Sequence, residues 1–335
     1  MKCYSLHYRT NSEVTDWYIE TIEEALKNAI GMEIDQVTSL SNLSITKKEE
    51  WFLVSDIVNF CRLWICGRRN VILWIQGIVP EESYLRNNSK LRYGALSILE
   101  RTALKYAKYI FFVSEAMKEH YVKKYHVSLN SDRYFIMPCF NEEIEKKQFE
   151  KHDYLNNEFV YVGGLSKWQC FDETLDLYKQ IETKYENVSL KVLTQNQELA
   201  EQMIRKKGIG NYTVKYVPKE SIKDELLGAK FGFCIRADMP VNNVATPTKL
   251  SSYVCSGVIP IYTSAVRDFS TIAEKSNYCI DIDKNEYMNR IEDLLKTEIE
   301  WKDIYRSFHE TFDKYYSRKY YVGEIENVIK KALLS

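Results

Sequence analysis

Short apolar runs alternate along the chain with longer amphipathic segments, and this alternation limits the possible folds more than any other feature. In the first half, the predicted strands are Cys3 to His7, Trp51 to Val54, Val71 to Gln76, Ile110 to Val113 and Tyr134 to Met137. The predicted helices between them are Glu13 to Ala29, Ile57 to Cys66, Leu91 to Ala107 and Glu115 to Tyr125. Strands that alternate with helices predict a parallel sheet covered by helices.

The same alternation restarts after a polar segment, 142–157, which is rich in Glu, Lys, His and Asn and is predicted to be a linker. The later apolar runs are FVYVGG, SLKVLT, YTVKYV, FGFCIRA, VIPIY and NYCIDI. A chain of 335 residues has the length of two domains. We therefore predict an α/β protein of two Rossmann-like domains, 1–150 and 151–310, with parallel sheets facing across a cleft. A C-terminal helix at 311–335 is predicted to pack back on the first domain.

The composition is that of a folded protein, since 45% of the residues are hydrophobic, 28% are charged and the net charge is -1. This balance argues against a disordered chain or a nucleic-acid-coating one. The eight cysteines form no CxxC pair and are predicted to be reduced core residues. No signal peptide and no apolar run of about 20 residues is evident, which predicts a cytoplasmic protein.

The stretch ATPTKLSSYVCSG predicts a helix that begins with Thr246 as its N-cap and Pro247 at the first helical position. The N-terminus of this helix would present free backbone N–H groups, the hydroxyls of Thr246 and Thr248, and the ammonium of Lys249. Such a cluster suits a diphosphate. An ordinary capped helix with a solvated lysine explains the local pattern equally well.

A second segment, YVGGLSKWQCF, places Gly163 and Gly164 at the end of a predicted strand. Paired glycines there let a ligand approach the backbone closely, although many tight turns need glycine for conformation alone. Lys167 adds a positive charge and Trp168 adds a flat apolar surface. Because ligands of open parallel sheets collect beyond the carboxyl ends of the strands, both segments are predicted to form one site.

The stretches YVGGLSKWQCFDETLDLY and ATPTKLSSYVCSGVIPI resemble two blocks in the second domain of retaining GT-B glycosyltransferases of the family 4 type, particularly those that build bacterial capsule and O-antigen. In the first half, ILWIQGIVPEES, LERTALKYAKYIFFVSEAMKEHY and MPCFN resemble the acceptor domain of that family. The resemblance implies a nucleoside diphosphate sugar donor on the second domain, an acceptor on the first, and no obligatory metal or other cofactor.

The chain departs from the family at three positions, where Gly164, Gln169 and Ser252 replace an Arg, a Lys and a Glu. Stabilising the departing diphosphate requires positive charge, and we expect it from a catalytic set of Lys167, Arg236 and Lys249. The predicted donor-binding residues are Gly163, Gly164, Trp168, Gln169, Tyr216, Val217, Pro218, Asn243, Thr246, Pro247, Thr248 and Ser252.

Five residues after strands of the first domain are predicted to position the acceptor, although capping or solvent-exposed roles explain each of them equally well. They are His7, Asn11, Gln76, Gly77 and Glu81. Between Arg86 and Arg133, ten basic residues face four acidic ones, a difference of ten minus four, or +6. This stretch suits a lipid-linked saccharide and peripheral contact with the inner face of the membrane, or it forms solvated helix faces. No motif predicts nucleic-acid binding.

Two other functions compete with a glycosyltransferase. A non-catalytic homologue that acts as a partner subunit would explain the missing Arg, Lys and Glu. A nucleotide-sugar epimerase would need acid and base groups around the sugar, and no such constellation is evident in the second half. Asp281 and Asp283 resemble a metal-binding pair, but they fall in a predicted buried strand, so we predict no metal.

Overall fold

A computed structural model describes residues 1–6, 13–38 and 47–334. His7 and Asn11 therefore lie outside the described residues. The chain divides into two compact units. The first comprises Met1–Phe140, Asn243–Thr246 and Ser317–Ser335, and the second comprises Asn141–Asn242 and Pro247–Tyr316.

The first unit contains a parallel sheet, which within the described residues has six strands in the order β2-β1-β3-β4-β5-β6. The strands are β1 Lys2–Leu6, β2 Glu33–Val37, β3 Trp51–Val54, β4 Val71–Ile75, β5 Tyr109–Phe112 and β6 Tyr134–Ile136. The helices are α1 Glu13–Ile30, α2 Ile57–Ile65, α3 Val79–Asn87, α4 Lys90–Tyr106 and α5 Glu115–Tyr125. Ser114 caps α5 by accepting a hydrogen bond from the N–H of Met117 at 2.9 Å.

The second unit also contains a parallel sheet, with the order β12-β11-β10-β7-β8-β9. Its strands are β7 Glu158–Val162, β8 Ser189–Leu193, β9 Tyr212–Lys215, β10 Phe231–Cys234, β11 Ile259–Tyr262 and β12 Ile280–Asp281. The order reverses between β7 and β10, as it does in dinucleotide-binding sheets. The crevice beyond the carboxyl ends of β7 and β10 is therefore where a ligand is expected.

The helices of the second unit lie between its strands and after them. They are α6 Lys146–Lys151, α7 Phe171–Lys184, α8 Gln197–Lys206, α9 Lys219–Leu226, α10 Pro240–Asn243, α11 Thr248–Cys255, α12 Arg267–Ala273, α13 Tyr287–Lys296 and α14 Trp301–Phe312. The last residue of α10, Asn243, belongs to the first unit. Helix α15, Arg318–Leu334, also belongs to the first unit, where Arg318 pairs with Glu24 of α1 at 2.9 Å.

The prediction of two parallel sheets with covering helices is confirmed, but one local prediction is wrong and one strand was not predicted. The segment predicted as a linker contains α6, because Phe149 is fully buried and packs against the rings of Tyr305 and Phe308 in α14. Strand β2 was not predicted, because its sequence, EIDQV, is mostly polar and lies at the edge of the sheet. Among the described residues, no helix is long and apolar enough to cross a membrane.

Candidate functional site

Lys249 of α11 lies directly over Gly163, the first residue after β7. A Cβ atom added to Gly163 would be 3.3 Å from the Nζ atom of Lys249. Gly163 has a φ of +134°, which only glycine adopts without strain. The glycine therefore gives the lysine room at the end of the strand, on the side where the strand order reverses.

Tyr253 fixes α11 against both central strands. Its ring occupies the space beside Gly232 in β10, where an added Cβ would lie 2.7 Å from the ring. Its hydroxyl donates to the carbonyl oxygen of Phe233 at 3.3 Å and accepts a hydrogen bond from the N–H of Val162 at 3.1 Å. Tyr253 is not among the predicted site residues, although a glycine inside the apolar run FGFC indicates a close approach to the strand.

The ammonium group of Lys249 is buried, and its Nζ atom has no hydrogen-bond partner in the part of the chain that the structure describes. It lies 4.1 Å from the centroid of the Tyr161 ring, within the range of a cation–π contact. Burial lowers the pKa of Lys249 to about 7, and the positive charge of Arg236 contributes in the same direction. An anion at this place would restore the charged form.

Arg236 follows β10 and is also buried. Its Nη1 atom donates to the carbonyl oxygen of Trp168 at 3.1 Å. Its backbone N–H donates to Thr263 at 2.9 Å, and the hydroxyl of Thr263 donates back to the carbonyl oxygen of Arg236 at 2.8 Å. No carboxylate among the described residues forms an ion pair with Arg236 or Lys249. The site thus holds two cations without an anionic partner.

The start of α11 differs from the prediction. The helix begins at Thr248, and Pro247 is its N-cap, with an extended ψ of 120° and no side-chain cap. Thr246 is not the cap, because its hydroxyl instead accepts a hydrogen bond from the N–H of Cys139 at 3.0 Å, within the first unit. Asn243 is buried and likewise belongs to the first unit.

The turn after β7 carries four of the other predicted residues, including Trp168, whose carbonyl oxygen accepts the hydrogen bond from Arg236. Gly164 is exposed, and its carbonyl oxygen accepts a hydrogen bond from the hydroxyl of Tyr161 at 2.6 Å. Lys167 is exposed at the start of a 3-10 turn that ends at Gln169. The Oε1 atom of Gln169 is buried without a hydrogen-bond partner among the described residues.

The remaining predicted donor residues lie elsewhere. The hydroxyl of Ser252 is 3.3 Å both from the carbonyl oxygen of Thr248 and from Oδ1 of Asn141, so it is used within the second unit. The predicted base contacts, Tyr216, Val217 and Pro218, follow β9 at the edge of the sheet, and β8 separates β9 from β7. The structure does not bring them together with Lys249.

Three predicted acceptor residues follow β4 in the first unit. Gln76 is exposed, and the carbonyl oxygen of Gly77 accepts a hydrogen bond from the hydroxyl of Tyr121 at 3.0 Å. Glu81 lies in α3, where its Oε1 atom is 2.8 Å from Nζ of Lys124 and 3.3 Å from Nε2 of His120. Although burial opposes ionisation, the nearby His120 and the hydrogen bond from Lys124 lower the pKa of Glu81. Glu81 is therefore held by internal partners.

Lys124 also reaches a second carboxylate, because its Nζ atom is 3.0 Å from Oε2 of the fully buried Glu100. Tyr121 and Tyr125 donate hydrogen bonds to Glu100 at 3.1 and 2.5 Å. Burial opposes the charge on Lys124, but Glu100 and Glu81 together raise the pKa of Lys124 well above its usual range. We name Glu81, Glu100 and Lys124 the Lys124 cluster.

Among the described residues, no group of three or more His, Cys, Asp or Glu side chains is arranged to hold a metal ion. The prediction that Asp281 and Asp283 share a strand is wrong, because β12 ends at Asp281. Asp283 instead accepts hydrogen bonds from the backbone N–H of Ser264 at 2.9 Å and from its hydroxyl at 2.6 Å.

Structural comparison identifies similar proteins. Sucrose-phosphate synthase from Thermosynechococcus elongatus has a TM-score of 0.71 and 11% identity, over 100% of this chain and 99% of that one. The trehalose-6-phosphate protein of E. coli bound with UDP-2-fluoro glucose has a TM-score of 0.70 and 10% identity, over 99% of both chains. A variant of S. aureus TarM in complex with fondaparinux, alpha-GlcNAc-glycerol and UDP has a TM-score of 0.61 and 11% identity over 86% of this chain.

The fold is GT-B. The similarity extends over the whole of two neighbours, whereas the chain spans a little over half, 57%, of S. aureus TarM. No protein-family model matches the sequence, and no curated protein matches it. Because the identities are low, the comparisons establish the fold, and the activity has to be argued from the site.

Proposed function

We propose that the protein is a glycosyltransferase that binds a nucleoside diphosphate sugar in its second unit and transfers the sugar with retention of configuration. The acceptor is a saccharide, free or lipid-linked, and the product belongs to a bacterial surface polysaccharide such as capsule. The GT-B fold supports this assignment, as do the UDP-2-fluoro glucose and UDP bound by two of the neighbours.

One observation carries the proposal, namely the buried ammonium of Lys249 without an internal partner at the reversal of the strand order. A diphosphate beyond β7 and β10 would meet Lys249 and Arg236 as two charged donors. As the sugar departs, negative charge develops on the diphosphate, so both cations stabilise the transition state more than the ground state. Two side-chain cations can balance this charge, and we therefore propose transfer without a metal ion or other cofactor.

A binding subunit without turnover is the second candidate. The family's Arg position is the exposed Gly164, and its Glu position is Ser252, whose hydroxyl is used by Asn141 and the helix backbone. A subunit of this kind would keep the fold but bind the nucleotide more weakly than an active enzyme does. Measuring turnover in addition to binding separates the two candidates.

Titration calorimetry with UDP, GDP and TDP tests the site, and UDP is the first choice because two neighbours bind it or its derivative. We expect Lys249→Met to weaken nucleotide binding about 10- to 100-fold, since charge-assisted hydrogen bonds contribute about 1.5–3 kcal/mol. Lys230→Met is the matched control. Lys230 is likewise a buried lysine of the second unit, but it precedes β10, at the opposite, amino end of that strand.

The control should bind as the unmodified protein does. Failure of all three nucleotides to bind, or equal weakening by both variants, would reject the proposed donor site. Binding without release of nucleotide from any nucleotide sugar, in the presence of oligosaccharide and lipid-linked acceptors, would favour the binding subunit.

A further inference from the structure

Helices α2 and α4 of the first unit lie side by side. The thiol of Cys61 donates to the carbonyl oxygen of Leu99 at 3.5 Å, and the rings of Trp64 and Tyr106 stack with their centroids 4.7 Å apart. The first contact joins the middles of the two helices, and the second joins their C-terminal ends. The outward sides of α2 and α4 therefore form one continuous face, which we name the α2–α4 face.

Large aliphatic side chains project from this face into solvent. Leu91 is 90% exposed and Ile98 is 68% exposed on α4, and Ile65 is 77% exposed at the end of α2. Isolated exposed aliphatic residues are ordinary, but Leu91 and Ile98 lie seven residues apart on the same side of α4, and Ile65 ends the neighbouring helix. Burial of such side chains is worth about 1.5–3 kcal/mol each, so a surface that covers them gains affinity.

The same face is basic. Its two helices and the turn after α2 carry six exposed basic side chains, and none of the six forms an ion pair with a carboxylate in the described part of the chain. They are Arg62, Arg69, Lys90, Arg92, Arg101 and Lys105. The only acidic residue in the two helices, Glu100, is fully buried and paired with Lys124. The exposed surface of both helices is thus aliphatic and positively charged.

We propose that the α2–α4 face docks the protein on a membrane that contains anionic lipid. Basic side chains are attracted to anionic headgroups, and aliphatic side chains on a helix face are buried at the boundary between headgroups and acyl chains. Nucleic acid would match the charge but would leave Leu91 and Ile98 exposed, because its interfaces are polar. A second copy would bring like charges together across a two-fold interface.

Flotation of the full chain with vesicles is the test. We expect binding to phosphatidylcholine vesicles that contain phosphatidylglycerol, little binding to phosphatidylcholine alone, and weaker binding in high salt, because salt screens exposed charges. Replacing three of the basic residues by Gln should lower the partition coefficient about a hundredfold, since each basic residue near the surface contributes about fivefold. The substitutions are Arg92→Gln, Arg101→Gln and Lys105→Gln.

The charge control removes the same number of positive charges, three, from exposed lysines of the second unit. It should leave the partition coefficient unchanged. Its substitutions are Lys206→Gln, Lys275→Gln and Lys314→Gln. A second pair tests the aliphatic contribution, with about a tenfold loss expected for Leu91→Gln. No loss is expected for Leu199→Gln, whose leucine is 48% exposed on α8.

The proposal is overturned if anionic vesicles do not bind at low salt, or if both charge variants weaken binding equally. It is also overturned if an oligonucleotide displaces the protein from vesicles and Leu91→Gln does not change vesicle binding. A dimer that is seen by light scattering and that Leu91→Gln dissociates would overturn it as well. Nucleotide binding by the second unit should be the same in all four variants, so failure of this proposal leaves the proposed function untouched.

Discussion

Lys124 of the first unit, which is partly buried, and Lys249 of the second, which is buried, have opposite electrostatic environments. Lys124 of the first unit lies 2.8 Å from Glu81 and 3.0 Å from Glu100, whereas Lys249 of the second unit has no hydrogen-bond partner among the described residues. Burial opposes the charge on both. The carboxylates nevertheless raise the pKa of Lys124, while burial lowers the pKa of Lys249 to about 7.

This difference indicates a structural role for Lys124 and a functional role for Lys249. The charge on Lys124 is balanced inside the protein and stabilises the packing of α3, α4 and α5 around it. The charge on Lys249 has no carboxylate partner among the described residues, so the unfavourable desolvation of this amine is not offset inside the protein. A lysine in that state is suited to receive an anion from outside.

The largest expected effect concerns the Lys124 cluster. Lys124→Met should lower the free energy of unfolding by about 3–5 kcal/mol, because it leaves the fully buried Glu100 and the partly buried Glu81 without their cation. Urea denaturation followed by circular dichroism measures the change. Lys118→Met is the control on the same helix; its partner Glu115 is exposed, so the loss should stay within about 1 kcal/mol. Equal small losses would show that the cluster does not stabilise the unit.

The opposite sign is expected for Lys249. Without ligand, Lys249→Met should leave the free energy of unfolding unchanged or raise it by up to about 3 kcal/mol, since an apolar side chain of similar length replaces a buried amine. The same denaturation experiment measures it. A loss of several kcal/mol would mean that Lys249 has an internal partner and would remove the contrast with Lys124.

A smaller effect should appear in the pH dependence of stability. Between pH 7 and 10.5, Lys249 is charged in the unfolded chain but increasingly neutral in the folded one. The unfolded state then binds more protons, so the stability contribution rises with pH by up to about 1.4 kcal/mol per unit. Lys124 adds little slope below about pH 9.5, because it is charged in both the folded and the unfolded state there. Subtracting the curve of Lys249→Met from that of the unmodified protein isolates the effect.

The same titration predicts proton uptake on nucleotide binding. At about pH 8.5 an anion should return Lys249 to its charged form, so binding should take up close to one proton. Calorimetry in buffers with different ionisation enthalpies measures the number of protons. Lys249→Met should remove the uptake. An uptake that persists in the variant would assign it to another group.

The smallest expected effect distinguishes the two adjacent glycines. Gly163→Ala should lower the free energy of unfolding by about 1–2 kcal/mol, because its φ is +134° and the new methyl group would lie 3.3 Å from Lys249. Gly164→Ala should stay within about 0.5 kcal/mol, since an added Cβ there meets nothing within 4 Å. Thermal denaturation of both variants is sufficient. Equal losses would contradict the close approach of Lys249 to Gly163.

Much of the fold could be predicted from the sequence, because buried parallel strands are short apolar runs and the helices between them are amphipathic. The exceptions are polar elements, such as the edge strand β2 and the helix α9, which look like loops when their neighbours are unknown. The proximity of Gly163 to Lys249 could be inferred, because the strands that precede them, β7 and β10, end at the same edge of a parallel sheet. Burial of Lys249 could not, because it depends on contact with Tyr161 of β7, which is distant in the sequence.

The order of the second sheet has a kinetic consequence. Strand β10 pairs with β7, although β8 and β9 come between them in the sequence, so Lys249 cannot be enclosed until a non-local pairing has formed. The contacts that enclose it are therefore expected to be largely absent from the transition state for folding. A nucleotide that binds there should slow unfolding and leave the folding rate nearly unchanged. Occupancy of the site would then lengthen the lifetime of the folded chain without hastening its formation.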